Sequence, residues 1–303
     1  MSARVGRRAR VGRRARVGPP RPVGYGRGPA ARVVAVARYL ALAVFAALFL
    51  LPFYLLLRNG LATAADITSP QWTLFPRSLQ WGNISALFRS PSVPMGRALV
   101  NSATVAVLQT AGVLLLASMC GYGLARIPNR FARPVFYAVV ATLMIPTAVT
   151  FVPSFVLVST LGWVSTLRGL VVPGVFGGLA AFLFRQYFLG FPRDLEEAAR
   201  VDGLGHWGTF WRIVVPNSRA FYAAIGLITF IGSWNSFLWP LVIGQDESSW
   251  TVQVALSTYL NAQAPRTNLL FVGAAVSVLP LVLLFLFLQR YIVQGIEQSG
   301  IKG

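Results

Sequence analysis

One cysteine and one histidine stand in 303 residues. Cys120 lies inside an apolar run and has no second cysteine to pair with, so an intramolecular disulfide and a cysteine-based metal cluster are both excluded. A lone His206 likewise excludes His-rich metal sites. Acids are also scarce: 8 Asp+Glu stand against 27 Lys+Arg, giving a net charge of +19. Charged residues make up 12% of the chain, about half the share a soluble domain needs to face water. The pattern G-x-x-x-x-G-K-S/T is absent, which excludes P-loop ATP hydrolysis by this chain.

What is abundant is apolar. Hydrophobic residues supply 55% of the chain, and with so few charges most of the surface must meet lipid. Six stretches approach the roughly 20 residues a helix needs to cross a bilayer. They are Val33–Leu57, Ala98–Gly121, Pro134–Val158, Leu170–Leu189, Ala220–Ile243 and Leu269–Arg290. The fold expected is all-α, a polytopic membrane protein with six transmembrane helices. Pro146, Pro153, Pro173, Pro240 and Pro280 fall inside these spans, as do Gly174, Gly177 and Gly178. Membrane helices tolerate such breakers where neighbours re-satisfy the freed backbone groups.

A strong positive charge often marks nucleic-acid binding, but its placement here does not. Eleven arginines and no acid precede Tyr39, and the other sixteen basic residues sit at the ends of apolar runs. Residues 4–18 repeat R-V-G-R-R-A, and six residues advance a helix by about 600°, so the arginines would spread over several faces. With the Pro/Gly-rich stretch Gly18–Pro29 behind it, this is a disordered basic arm rather than an amphipathic membrane helix. With the N-terminus inside, twenty-one basic residues fall on the inner side against Arg58, Arg77, Arg89, Arg97, Arg168 and Arg266 outside. The positive-inside rule therefore places both termini in the cytoplasm.

The first outer loop, Arg58–Arg97, carries Trp72, Phe75, Trp81, Leu87 and Phe88. Such aromatics either anchor at the lipid interface or line a docking surface for an external protein. The inner loop Gly190–Arg219 differs from everything else, because Asp194, Glu196, Glu197 and Asp202 are four of the eight acids. It predicts a helix over Asp194–Val201, a turn at Asp202-Gly203, and a second helix over about His206–Val215, stopped by Pro216. Trp207, Phe210, Trp211 and Val214 recur at i, i+3, i+4 and i+7, one apolar stripe. A stripe of this kind lies on the membrane surface or enters a groove on a cytosolic partner. The small residues Ala198, Ala199 and Gly203 favour the partner, since they permit close backbone approach.

Glu197-Ala198-Ala199, three residues, Gly203, nine residues, Ile213, one residue, Val215 and Pro216 resembles E-A-A-x3-G-x9-I-x-L-P. That is the loop pattern of binding-protein-dependent ABC importer permeases, with Val215 in place of the usual leucine. Arg185-Gln186-Tyr187-Phe188, Asn101-Ser102, Gly121-Tyr122-Gly123-Leu124-Ala125-Arg126 and Met144-Ile145-Pro146 are similar to the carbohydrate branch, as are Gly232-Ser233-Trp234-Asn235, Phe237-Leu238-Trp239-Pro240 and Gly300-Ile301-Lys302-Gly303. Within that branch the likeness is to the G-type subunit of maltose permeases.

The resemblance implies a type I ABC importer permease fold divided into a tail at 1–32, a permease domain at 33–290 enclosing the loop at 190–219, and a second tail at 291–303. It also implies that this chain is not an enzyme and binds no cofactor, while ATP and Mg are used by a dimer of partner ATPase subunits. A second permease chain, an external sugar-binding protein, lipid and a sugar complete the expected partners, with no nucleic acid among them. The loop would be a coupling helix seated in the ATPase. Glu197 would pair with a basic residue there, alongside Ala198, Ala199, Asp202, Gly203, Trp207, Phe210, Trp211, Ile213 and Pro216. Asn101, Trp234, Asn235 and Trp239 are candidates for the substrate path, each of which could instead satisfy helix packing. The substrate implied is a sugar or a sugar phosphate such as glycerol-3-phosphate. A stand-alone channel or secondary transporter is the other class, but the spans lack the acidic relays such proteins use.

Overall fold

The structure, a computed structural model, describes residues 29–261 and 266–299, with side-chain surroundings given for 32–260 and 266–290. The arginine repeat and the Gly300–Gly303 ending lie outside the described residues. Contacts divide the chain into Met1–Pro52 and Phe53–Gly303. The boundary falls inside α1, Pro29–Gly60, which carries Pro52 without breaking. The described part of the first unit is helix α1 as far as Pro52. It is apolar all round and exposed on every face, the signature of a span bathed in lipid.

The second unit opens with an irregular segment holding two short helices, α2 (Ala64–Thr68) and α3 (Gly82–Arg89). Arg58 is buried there, where its guanidinium donates to the Thr73 carbonyl at 2.9 and 3.2 Å. Trp72, Phe75, Trp81 and Phe88 are exposed, but Leu87 is fully buried and belongs to the core rather than to any exposed patch. Next comes α4, Met95–Arg126, a 32-residue helix.

The third expected span, Pro134–Val158, is two helices instead of one: α5 (Ala132–Met144) and α6 (Thr147–Thr160), bent by 101°. The cause is local. Pro146 disfavours helical geometry at the residue before it, and Ile145 is extended at φ −86°, ψ 116°. The fourth span is α7 (Leu167–Val171), a 3-10 turn at Val172–Gly174, then α8 (Gly178–Leu189).

A connecting elbow follows, made of α9 (Arg193–Val201), α10 (His206–Thr209), a π-turn at Phe210–Val214 and α11 (Val215–Asn217). The fifth expected span, Ala220–Ile243, is also divided. Helix α12 (Arg219–Trp234) stops before Pro240, and α13 (Leu238–Ile243) is a separate turn. The sharp bend, 79°, lies between the elbow and α12. The chain closes with α14 (Val252–Asn261) and α15 (Thr267–Ser299). Among the described residues four helices are long and apolar enough to cross a membrane, or six if each bent pair counts as one span.

Helix α4 organises the core. Around its first half, Met95, Ala98 and Ala106 pack with Leu87, Trp234, Leu256 and Val272. Around its second half, Val113, Ala117 and Tyr122 pack with Phe184, Phe188, Phe210, Val214 and Ile225. The two clusters therefore lie toward opposite ends of one rod about 48 Å long. The elbow closes the second cluster, which fixes where it can act.

Candidate functional site: the elbow and the central cavity

Elbow residues 190–219 are held by three devices. The first is at the start of α9, where Asp194 and Glu196 occupy the first turn and complement the positive helix end. Glu196 turns inward and is buried with Ala199, one turn on. Its carboxylate meets Arg126, the last residue of α4, with Nε 3.3 Å from Oε1 and only 6% and 5% of the two side chains exposed. Arg126 also donates to the Phe191 carbonyl that opens the elbow. Sequence reasoning missed this pair. Its only signal was an arginine ending the Gly121–Arg126 run.

The second device ends α9. Leu204 N donates to Ala199 O at 2.9 Å and Gly203 N to Arg200 O at 3.0 Å, the paired bonds of a Schellman cap. That cap needs a left-handed residue, and Gly203 supplies it at φ +82°. A Cβ there would meet nothing within 4 Å, so the requirement is one of backbone conformation rather than space. Gly203→Ala should cost about 1–2 kcal/mol locally, and Gly203→Asn should recover most of it, because asparagine tolerates this region. Hydrogen exchange of the Leu204 amide measures the difference. Equal protection in wild type and Gly203→Ala would contradict it.

The third device divides the expected apolar stripe. Phe210 and Val214 are buried, Phe210 lying 5.0 Å from Tyr122 and 6.4 Å from Phe188. Trp207 and Trp211 remain exposed, edge to face at 5.7 Å. At about 100° per residue the four span one arc, and the line between core and outside runs along its middle. One pair therefore anchors the elbow and the other faces away. Pro216 does not stop the helix as expected. It sits in the first turn of α11, where its missing N–H is not needed, and helix continues to Asn217. Glu197, Ala198 and Asp202 are exposed on α9 and at its end, while Ile213 and Pro216 are half-buried. Arg126, Arg193, Glu196, Glu197 and Arg200 line a polar recess of about 200 Å³ beside α9.

A larger cavity of about 610 Å³ lies between α4, α6, α8 and α12. An adjoining one of about 670 Å³ shares Thr147, Phe151, Ser236 and Trp239 with it. Gln109 links its walls: Nε2 donates to Leu170 O at 2.9 Å, and Oε1 accepts from Ser233 Oγ at 2.6 Å. The fit requires Gly174, since a Cβ there would stand 2.3 Å from Gln109 Nε2. Thr150, Ser154 and Ser236 add hydroxyls, and among the described residues no charged side chain lines either cavity.

Of the four candidate path residues, Trp239 alone lines this space, its Nε1 donating to Gly169 O at 3.0 Å and its ring edge-on to Phe151. Asn101 is buried elsewhere and donates to the Ser248 and Trp250 carbonyls, both at 2.9 Å. Trp234 is buried in the core, bonded to Ser277 O at 3.1 Å. Asn235 is exposed and accepts from Gln253 at 3.2 Å. Gln109 went unnoticed, although an amide in the middle of an apolar span is itself a signal.

Residues 113–298 match the family described as "Binding-protein-dependent transport system inner membrane component". The chain belongs to this family. Its matched region runs from the second half of α4 through the elbow and the cavity walls to α15. Among this permease's relatives is the arabinooligosaccharides transport system permease protein AraQ of Bacillus subtilis, 31% identical over 84% of this chain and 92% of that one. The lactose transport system permease protein LacG of Rhizobium radiobacter is 34% identical over 72% and 79%. The sn-glycerol-3-phosphate transport system permease protein UgpE of Yersinia pestis is 31% identical over 83% and 92%. A chain of a bacterial ABC transporter involved in the import of the acidic polysaccharide alginate superposes with a TM-score of 0.75. It shares 19% identity over 87% of this chain and 98% of that one, which establishes the fold. The fold is that of a type I ABC importer permease, all-α and membrane-spanning.

Proposed function

We propose that this permease forms half of the path by which an ATP-driven importer takes up a neutral sugar, and that partner ATPase subunits drive it through the elbow. The observation that carries this reading is the two-sidedness of the elbow. Glu196, Ala199, Phe210 and Val214 seat it on the bundle, while Glu197, Asp202, Trp207 and Trp211 are left facing out. Exposed tryptophans are enriched at docking surfaces, and an exposed acid on the same elbow can pair with a basic partner. The excess of basic residues beside the elbow and at both termini favours their lying on the cytoplasmic side, where ATP is found. ATP and Mg belong to the ATPase dimer, since this chain has no P-loop pattern. A second permease chain completes the pathway, and an external binding protein delivers the substrate.

A sugar is supported by the relatives named for arabinooligosaccharides and lactose. Glycerol-3-phosphate is the second reading, supported by the relative named for it. The cavity favours the first. Among the described residues its walls offer an amide, hydroxyls and an indole but no Arg or Lys, and a phosphate is held best by charge-assisted bonds. The test is uptake into proteoliposomes holding the whole transporter with its binding protein, offered lactose, an arabinooligosaccharide or glycerol-3-phosphate. ATP-dependent uptake of a neutral sugar is expected. Uptake of glycerol-3-phosphate alone, or uptake indifferent to ATP, would overturn the proposal.

A further inference from the structure

Glu196 and Glu197 are neighbours on α9, yet one is buried and the other exposed. Buried carboxylates and guanidinium groups are rarely found unpaired, because removing either from water is costly. Here both are withdrawn together. Arg126 reaches from the last turn of α4 to the Glu196 carboxylate and the Phe191 carbonyl at once. Its forked guanidinium suits that double task, which a lysine ammonium would not perform as well. Helix α4 is in turn locked to α8, because Gly121 lets the two backbones touch. About 25 Å further up the same rod, Gln109 grips the cavity wall through Leu170 O and Ser233.

We infer that Arg126 and Glu196 are positioning residues that tie the elbow to α4, so that a push on α9 reaches Gln109 and the cavity. Glu197 meets the ATPase, and Glu196 passes the displacement inward. This rests on the reading that an ATPase docks on the elbow. A pair serving only to hold the fold would behave differently. Replacing both partners by apolar residues of similar size commonly restores stability, but it cannot restore a directional link.

The experiment uses the whole transporter with its ATPase and binding protein in proteoliposomes. A Ser154→Cys reporter in the cavity wall, in a Cys120→Ser background, is labelled by an impermeant maleimide from the side opposite the ATPase. Two variants are compared with the parent: Glu196→Gln, and Arg126→Met combined with Glu196→Met. In the parent, ATP should raise the labelling rate about ten-fold. In both variants ATPase capture should be unchanged and ATP hydrolysis should stay within two-fold, while the rise shrinks below two-fold. If Glu196→Gln fails to fold, the double variant decides alone.

A parent-sized rise in the double variant would show that the pair only satisfies burial, and would overturn the inference. Loss of ATPase capture in the double variant would overturn it too, by making the pair part of the docking surface. A parent transporter that captures no ATPase would defeat the docking reading and this inference together. Lost capture in Glu197→Lys, beside parental behaviour of both pair variants, would defeat this inference alone.

Discussion

Under the proposed docking, Glu197→Lys is expected to leave the bundle folded and inserted but to weaken ATPase capture by about 30-fold or more, the loss that follows reversal of one member of a desolvated interface pair. Glu197 is exposed, so the substitution should change the stability of the chain by no more than about 0.5 kcal/mol. That separation makes the result informative. Co-purification with the ATPase and ATP-driven uptake should fall together, while the thermal midpoint of the isolated permease stays where it was. Wild-type capture and uptake in this variant would show that the outward face of α9 is not where the ATPase binds.

Gly121→Leu has the largest expected effect on stability. A Cβ at this position would lie 2.7 Å from both Arg185 N and Phe184 Cβ, closer than real contacts allow. Backbone atoms cannot move aside as a flexible side-chain end can, so α4 and α8 must separate. Ala117, Gly121 and Ala181 are the small residues that bring these helices together, the usual device for close packing within a membrane. Overpacking of this kind costs about 3 kcal/mol or more, which lowers the thermal midpoint by roughly 5 °C or more. Gly123→Leu is the matched control. A Cβ at Gly123 meets nothing within 4 Å, and this variant should melt with the parent. Equal melting of all three proteins in detergent would refute the tight α4–α8 contact.

The spans and the elbow differ in how far the sequence reveals them. Apolar runs near 20 residues mark the spans because bilayer thickness alone sets that length. The elbow is marked by local chemistry: acids at a helix start, then Asp202-Gly203, then aromatics at helical spacing. Gly203 was readable because a left-handed turn has its own preferred residue. The bends were only half readable. Pro146 marked where the helix breaks, but the size of the bend, 101° between α5 and α6, is not written in any local pattern. The loop pattern singled out Glu197, but nothing local marked its neighbour Glu196, about 100° round the helix, as the buried acid. Telling them apart requires knowing that Arg126 ends its helix against α9. The stripe at 207–214 had the right period and the wrong number of faces, because the edge of the buried cluster passes through it.

The sequence by itself determined the lipid-facing character of the chain, its helical spans, the lack of a P-loop pattern and the place of the elbow. Each of these is written in composition or in spacings of a few residues. Only the tertiary structure decided which acid is buried, which tryptophans face outward, and that Gln109, Ser233 and Trp239 share one uncharged cavity. Those outcomes depend on side chains from separate helices meeting at distances of a few ångströms, and no local pattern along the chain encodes such meetings.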